Sequence, residues 1–198
     1  LEFRRVLFRS LEEGSILING VPLSKSQCRI GYMLQSDQLF EWRTIIQNAA
    51  LGLEIQKKMD HAAEDRLHRL LKIYGLEQFE HSRPSELSGG MRQRAALIRT
   101  LALEPELLLL DEPFGALDAL TRTALQRECA KLFTADAMTV LLITHDVREA
   151  VLLADRIHVM EGGGFVETEE VRAARPRALT DPEVAALEER LLGTLLQG

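Results

Sequence analysis

Several residue types that define particular classes of protein are scarce in this chain. Only two cysteines, Cys28 and Cys129, occur in 198 residues, and they lie far apart without the spacing of metal ligands. We therefore expect neither a disulfide framework nor a cysteine metal site, and we interpret both as reduced packing residues. No apolar run approaches the roughly 20 residues that a membrane-spanning helix needs. If this protein serves a membrane, we expect another chain to supply the spanning part.

A strong surplus of charge of either sign is also missing. The formal net charge is -6, and lysine and arginine are scattered along the chain, so we expect no nucleic-acid partner. The 198 residues are 46% hydrophobic and 27% charged, which is ordinary for one globular domain with its own core.

The first ten residues, "LEFRRVLFRS", differ in character from the rest of the chain. Three arginines interrupt the apolar positions, and no cleavage pattern of a signal peptide follows. Because "VLFRS" resembles the translation of a common sequencing adapter, we interpret residues 1–10 as a non-native junction. A genuine but irregular N-terminus remains the alternative. From Leu11 onward the pattern is that of a folded domain.

Strand and helix signals alternate along the chain and predict an α/β fold. The helical patterns lie between Thr44 and Gly75, from Ser88 to Pro105, and near residues 119–133, 147–154 and 182–197; the strand patterns are "SILINGVPL", "RIGYML" ending at Gln35, 107–110, 139–143 and 156–160. Apolar strands that alternate with helices predict a parallel sheet covered on both faces. The "EGGGF" stretch at 161–165 lacks a strand-to-helix context, so we interpret it as a turn and not as a dinucleotide loop.

Polar side chains follow two of these strands at their carboxyl ends, where ligands of parallel sheets bind. Asp111 and Glu112 follow the leucine strand at 107–110, and His145 follows the strand at 139–143. In nucleotide hydrolases an aspartate at such a position holds Mg²⁺, and a neighbouring carboxylate activates the attacking water. A pair of acidic residues that merely caps a helix remains possible for this stretch taken alone.

The stretch "LSGGMRQR" at residues 87–94 predicts a phosphate-binding helix start. Ser88, Gly89 and Gly90 would combine free backbone N–H groups, the helix dipole and a hydroxyl, and glycine allows close approach of an anion. This stretch resembles the signature motif of the ATP-binding subunits of ABC transporters, which reads LSGGQ-x-QR or a near variant. Met91 stands where the family usually has glutamine.

The other motifs of that family follow in the expected order. Gln35 resembles the Q-loop glutamine, which in the family reaches Mg²⁺ and the attacking water. "LLLLDEP" resembles the Walker B strand, so the resemblance implies that Asp111 binds Mg²⁺ and that Glu112 is the catalytic carboxylate. "GALD" resembles the D-loop, which implies that Asp118 lies at a dimer interface, and "ITHD" implies that His145 contacts the γ-phosphate. ATP and Mg²⁺ are the cofactors that the resemblance implies.

The resemblance implies a P-loop NTPase fold with a three-layer core, a parallel sheet and an inserted helical subdomain. We expect the helical part at about 36–104, the Walker B to H-loop core at 105–160, and a C-terminal strand and helix at 161–198, within one partial domain at 11–198. The 198 residues contain no G-x-x-x-x-G-K-[ST] loop, which in this family neutralises the triphosphate. Since "LEEGSILING" resembles the stretch after that loop, we expect the N-terminal strands and the Walker A loop to be missing, and the chain alone not to bind ATP.

Two further stretches are similar to importers of the nitrate, sulfonate and taurine group: "SDQLFEWRTIIQNAALGLE" and the tail "RPRALTDPEVAALEERLLGTLL". The resemblance implies a second ATP-binding subunit in a homodimer, membrane-spanning permease subunits, an indirect external solute-binding protein, and a peripheral location on the cytoplasmic face of the cell membrane. Leu39, Phe40 and Trp42 would lie where the permease inserts its coupling helix. Packing of Trp42 within the helical subdomain is the alternative.

Two functions of other classes remain open. One is a non-transport ABC ATPase of DNA repair or translation, which the absence of a basic face, of a coiled-coil arm and of a second ATPase unit disfavours. The other is a non-catalytic module that lends its signature helix to a partner, which requires residues 1–10 to be genuine.

Overall fold

The computed structural model describes residues 14–115, 117–135 and 138–197, so the interpreted junction at residues 1–10 lies outside the described residues. The described part contains six α-helices: α1 (Ile45–Ile55), α2 (His61–Ile73), α3 (Gly89–Leu101), α4 (Ala119–Ala135), α5 (Val147–Leu153) and α6 (Pro182–Gln197). Its strands are β1 (Leu17–Ile18), β2 (Val21–Pro22), β3 (Ile30–Met33), β4 (Leu107–Asp111), β5 (Thr139–Ile143), β6 (Arg156–Glu161) and β7 (Gly164–Glu170). Every helix and strand predicted from the sequence has a counterpart here.

Three of the strands form a parallel sheet in the order β3, β4, β5. Leu108 of the central strand is level with Gly31 of β3 and Val140 of β5, and Asp111 is level with Ile143. All three strands therefore end at one edge of the sheet, and the loops that follow them emerge side by side. The predicted α/β class with a parallel sheet is confirmed.

Local side-chain chemistry sets where the helices begin and end. The Thr44 hydroxyl accepts a hydrogen bond from the Gln47 backbone N–H, and the Gln47 side chain accepts one from the Thr44 N–H in return, which is a capping box for α1. At the start of α2 the Asp60 carboxylate accepts a hydrogen bond from the Ala63 N–H at 2.8 Å. Gly75, with φ +67, ends α2 as predicted, because glycine enters the left-handed region without strain.

None of the helices in the described part of the chain combines the length and the apolar character needed to cross a bilayer.

Helices α1 to α4 and one face of the sheet share a single hydrophobic cluster. Leu108 and Leu110 of β4 lie in it and are almost completely buried. The backbone of β3 approaches α3 closely at Gly31, where a Cβ atom would lie 2.8 Å from Thr100 Cγ2 and would clash. On the other face Leu109 is buried but Leu141 is 36% exposed. The prediction of covering helices is thus confirmed for one face in the part of the chain that the structure describes.

Strand β6 differs from the prediction that it joins the parallel sheet. Within the described residues it pairs antiparallel with β7 in a separate hairpin. Gly162 and Gly163, with φ +56 and +86, allow the tight turn between the two strands, so β6 finds its hydrogen-bond partner in the next segment of chain. The interpretation of "EGGGF" as a turn agrees with this arrangement. A second hydrophobic cluster joins the hairpin to α5 and α6 through Val151, Val159 and other residues.

Both cysteines are free thiols, as predicted. Cys129 is completely buried, and burial raises the pKa of its thiol to about 12, although a hydrogen bond with Tyr74 acts in the opposite direction. Cys28 is half-buried. Cys129 therefore contributes to packing between α4 and the end of α2.

Candidate functional site

Three of the predicted site residues meet at the carboxyl edge of the sheet. Gln35 follows β3, Glu112 follows β4 and His145 follows β5. The Gln35 Nε2 donates a hydrogen bond to Glu112 Oε2 at 2.9 Å, and His145 Nδ1 lies 3.3 Å from Glu112 Oε1. Each oxygen of one carboxylate thus has a different partner. A carboxylate held in this way can accept a proton from a water molecule placed beside it.

The backbone at Glu112 is in an unusual conformation. Its φ is +48, in the left-handed region that residues other than glycine rarely adopt. The conformation is held by a hydrogen bond from the Glu112 N–H to the Ile143 carbonyl at 2.9 Å, so the loop after β4 is tied to the end of β5. Such strained residues cluster at functional sites, where the surrounding structure maintains them.

Asp111, the last residue of β4, is half-buried beside this cluster in the chain. Among the described residues no group of three or more His, Cys, Asp or Glu side chains forms a complete metal cage. Mg²⁺ does not require one, because it keeps several waters and binds through one or two carboxylates together with substrate phosphates. One strand-end carboxylate with the amide of Gln35 nearby is therefore a donor set that fits Mg²⁺.

The signature stretch forms the start of α3, as predicted. Ser88 is the N-cap, and its hydroxyl accepts a hydrogen bond from the Met91 N–H at 3.3 Å. Ser88, Gly89 and Gly90 make no hydrogen bond to Gln35, Glu112 or His145 anywhere in the described part of the chain. The signature segment therefore does not join the cluster at the sheet edge of the same subunit.

The two signature glycines differ in their surroundings. A Cβ atom at Gly90 would lie 2.9 Å from Leu117 Cδ2, so this glycine allows α3 to pack against the D-loop. A Cβ atom at Gly89 would meet nothing nearer than Arg92 Nη2 at 3.9 Å. Packing within this chain thus accounts for Gly90, whereas no close neighbour within the described residues accounts for Gly89.

Asp118 is exposed and caps α4, because its Oδ1 accepts a hydrogen bond from the Thr121 N–H at 3.0 Å. That backbone hydrogen bond lowers the pKa of the Asp118 carboxyl. The next large apolar side chain, Leu120, is 85% exposed. The end of the D-loop and the first turn of α4 therefore expose a capping carboxylate and an apolar side chain close together in the chain.

Sequence reasoning missed the contacts that tie the segment after Gln35 to the signature helix. Arg92 of α3 forms an ion pair with Asp37, with 3.0 Å between Nε and Oδ2. Arg99 donates to the carbonyls of Asp37 and Gln38, each at 2.7 Å. Burial lowers the pKa of Arg99, an effect that Asp37 partly offsets. Arginines spaced seven apart along one face of α3 were the signal available in the sequence.

Asn48, on the apolar face of α1, was also missed. Its side chain is completely buried and accepts a hydrogen bond from the Phe40 N–H at 2.7 Å. Its amide donates to the carbonyls of Phe40, Arg43 and Thr44 at 3.0 to 3.2 Å. It therefore shapes the loop that presents Trp42, which is 72% exposed and stacks on Phe40 at 4.8 Å between ring centroids.

A third missed group surrounds the loop that carries His145. Glu149 of α5 is 3% exposed, and its Oε2 accepts a hydrogen bond from the Thr144 hydroxyl at 2.6 Å. Asp146 caps α5 and pairs with Arg122 of α4. A carboxylate at a buried helix position was the signal available in the sequence.

The fold and this strand-edge cluster define an α/β nucleotide hydrolase of the ATP-binding cassette class. The model of the ABC transporter family matches residues 5–115, more than half of the chain. The chain belongs to this family, the ATP-binding subunits of ABC transporters, whose members are ATPases coupled to transport. The resemblance inferred from the ordered motifs is thereby confirmed.

Relatives among curated proteins include ATP-binding proteins named for the import of aliphatic sulfonates. The chain is 41% identical over 187 residues to the aliphatic sulfonates import ATP-binding protein SsuB 2 of Agrobacterium fabrum, covering 94% of this chain and 70% of that protein. It is 44% identical to SsuB of Albidiferax ferrireducens, covering 93% of this chain and 64% of that protein. The chain thus spans about two thirds of the length of these relatives.

Solved structures of similar fold include a dimeric ATP-binding cassette in a post-hydrolysis state with ADP and Pi bound. It superposes with a TM-score of 0.72 at 29% identity and covers 82% of this chain and 75% of that one. A dimeric structure of a bacterial ABC transporter cassette superposes equally well, with a TM-score of 0.72 at 30% identity.

Proposed function

We propose that this chain is part of the ATP-hydrolysing subunit of an ABC importer of small organic anions, aliphatic sulfonates in particular. The observation that carries the proposal is the cluster of Gln35, Glu112 and His145 at the carboxyl edge of the parallel sheet. The sulfonate importers among its relatives support the class of solute.

In the proposed reaction Glu112 is the general base. One of its oxygens accepts a proton from water as that water attacks the γ-phosphate of ATP, and the bond between the γ-phosphorus and the bridging oxygen breaks to release ADP. Gln35 orients the carboxylate and the water, and His145 donates a hydrogen bond towards the charge that develops on the phosphate. The left-handed backbone at Glu112 holds the carboxylate where two neighbouring loops can contact it.

Mg²⁺ would be held by Asp111 with Gln35, and when bound it neutralises charge on the phosphates. The base and the groups that orient it are side chains of this chain: Glu112, Gln35 and His145. Asp111 ends the central strand, so its carboxylate is carried by the most buried element of the sheet.

The signature segment would serve the ATP of a second copy. Support comes from the absence, within the described residues, of hydrogen bonds between Ser88, Gly89 or Gly90 and the cluster at the sheet edge. The open space at Gly89 and the exposed Asp118 and Leu120 are consistent with a surface that closes on a partner subunit. The related cassettes are dimeric.

Phe40 and Trp42 would contact the permease, which sets the proposed location at the cytoplasmic face of the membrane; an external solute-binding protein would contact that permease. Trp42 is 72% exposed, which argues against its packing within the helical subdomain. Leu39, by contrast, is buried in the hydrophobic core and would anchor the loop of Phe40 and Trp42 to it.

The 198-residue chain by itself is proposed not to bind ATP measurably, because it contains no G-x-x-x-x-G-K-[ST] loop to surround the triphosphate. Isothermal titration of the isolated chain with Mg-ATP checks this, and a saturable heat of binding would contradict it.

The test of the proposed function is Glu112→Gln in the full-length subunit assembled with its permease. Loss of a general base lowers kcat by about 10²- to 10⁴-fold, whereas ATP-dependent dimerisation persists, because the amide keeps the shape of the carboxylate. Glu161→Gln, at an exposed position at the end of β6, is the matched control and retains activity. Wild-type turnover by Glu112→Gln would remove Glu112 as the base.

Uptake of an aliphatic sulfonate, but not of nitrate, by vesicles that contain the assembled transporter checks the class of solute.

A further inference from the structure

The Thr144 hydroxyl makes two hydrogen bonds in the loop that carries His145. The Thr144 Oγ1 donates to Glu149 Oε2 at 2.6 Å and accepts from the Asp146 N–H at 3.0 Å. Because the hydroxyl donates one hydrogen bond and accepts another, its orientation is fixed. The hydrogen bond from the Asp146 N–H to Thr144 spans residue 145, so it also constrains the backbone at His145.

Glu149 is an unusual residue for the inner face of a short helix. It is 3% exposed, and burial raises the pKa of its carboxyl. A buried carboxylate destabilises a protein unless polar groups compensate it. The groups that face it are the Thr144 hydroxyl and the Gln126 side chain as hydrogen-bond partners, with Arg122 and Asp146 acting through their charges. Its hydrogen bond of 2.6 Å with Thr144 joins it to the loop of His145.

The same loop is tied to the D-loop through Arg122 of α4. Its Nη1 donates to Asp146 Oδ2 at 3.4 Å, and its Nη2 donates to the Leu117 carbonyl at 3.2 Å. One guanidinium therefore contacts the segment after His145 and the segment before Asp118. Helix α4 thus connects the two loops and supports the position that Glu149 and Thr144 set.

We propose that Glu149 is a positioning residue for His145, acting through the Thr144 hydroxyl, so that the imidazole stays beside Glu112. This inference rests on the proposed function, because His145 has a catalytic role only if the subunit hydrolyses ATP. Glu149 does not touch the reacting atoms itself. Its effect is on the placement of the ring, which lies 3.3 Å from Glu112 and is otherwise 75% exposed.

The experiment compares Thr144→Val and Glu149→Ala with the conservative variants Thr144→Ser and Glu149→Gln. Thr144→Ser keeps the hydroxyl, and Glu149→Gln keeps an acceptor for it. Thr100→Val is the matched control, because the Thr100 hydroxyl is also buried and donates to a backbone carbonyl, that of Ala96 at 3.0 Å, but lies away from the loop. Two readouts are taken: ATPase kinetics of the full-length subunit with its permease, and the ring proton resonances of His145 in the isolated chain.

A misplaced catalytic group lowers rates by about 10- to 100-fold, so Thr144→Val and Glu149→Ala are expected to lose that much in kcat with KM for ATP nearly unchanged. The conservative variants recover most of the rate. The His145 ring resonances shift in the first pair and not in the conservative pair or in Thr100→Val.

Equal kcat losses in Thr144→Val and Thr100→Val, with unshifted His145 resonances in the former, would overturn the inference and leave a structural role only. A wild-type protein without ATPase activity would refute the proposed function instead, and the ring resonances would still decide whether Glu149 positions His145. If Thr144→Val or Glu149→Ala does not fold, the inference is judged on the conservative variants Thr144→Ser and Glu149→Gln. Rates and His145 resonances close to those of the wild type support it. A lower rate together with shifted resonances in these variants contradicts it.

Discussion

Asn48→Ala is expected to lower the free energy of unfolding more than a substitution of Trp42, the exposed aromatic residue in the loop that Asn48 supports. The Asn48 amide makes four hydrogen bonds to the backbone of residues 40–44 and is completely buried. A typical intramolecular hydrogen bond contributes about 0.5 to 1.5 kcal/mol, and a buried group left without a partner costs about 1 to 3 kcal/mol. Since the loop can turn some of its carbonyls towards water, we expect a loss of about 2 to 4 kcal/mol.

The assay is urea denaturation of the isolated chain followed by circular dichroism, with the free energy of unfolding obtained by linear extrapolation. Trp42→Ala is the matched comparison. Its ring is 72% exposed and is held mainly by the stack on Phe40, which is worth about 0.5 to 1.5 kcal/mol. We expect Trp42→Ala to remain within about 1 kcal/mol of wild type and yet to weaken co-purification with the permease.

A loss below about 1 kcal/mol for Asn48→Ala, at an unchanged slope of the denaturation curve, would refute the reasoning. It would mean that residues 40–44 keep their shape without the amide. A change in the slope would instead indicate that the denatured or native state had changed in compactness, and the comparison would then be repeated with thermal unfolding.

The remaining predictions separate packing from function at the signature helix and at the two cysteines. Gly90→Ala is expected to lower the melting temperature, because its Cβ would lie 2.9 Å from Leu117 Cδ2, whereas Gly89→Ala meets no close neighbour and leaves it unchanged or slightly higher. If Gly89 faces the ATP of a partner subunit, both variants lose ATPase activity in the assembled transporter; full activity in Gly89→Ala would contradict that role. For the thiols, we expect maleimide at pH 8 to label Cys28 in the folded chain and to spare Cys129, whose pKa is raised to about 12 by burial. Rapid labelling of Cys129 without denaturant, read by mass spectrometry, would show that α4 opens readily.

The candidate site was largely predictable because its residues occupy fixed positions relative to strand ends. Gln35, Glu112 and His145 each follow a parallel strand within two residues, and parallel strands in register bring such positions together. Their contacts of 2.9 and 3.3 Å follow from that arrangement. The left-handed backbone at Glu112 did not follow from it, because a glutamate before proline carries no signal for positive φ.

The pairing of β6 shows why the prediction failed where it did. The apolar pattern of residues 156–160 indicates a strand, but a pattern of alternation does not say which neighbour accepts its hydrogen bonds. Two glycines placed the next strand within reach, and the hairpin formed instead of a third parallel pair in the described sheet.

By itself, the sequence of this protein determined the order of helices and strands, the capping of α3 by Ser88 and the presence of a strand-end carboxylate pair. These depend on local periodicity and on contacts within a few residues. Only the tertiary structure decided that Gly90 packs on Leu117, that Asn48 shapes the loop of Trp42 and that Glu149 reaches Thr144. The Gly90 contact joins distant segments of the chain, and the Asn48 and Glu149 contacts depend on how a loop folds back onto its helix. Their geometry is therefore set by how the elements pack, and local sequence does not encode it.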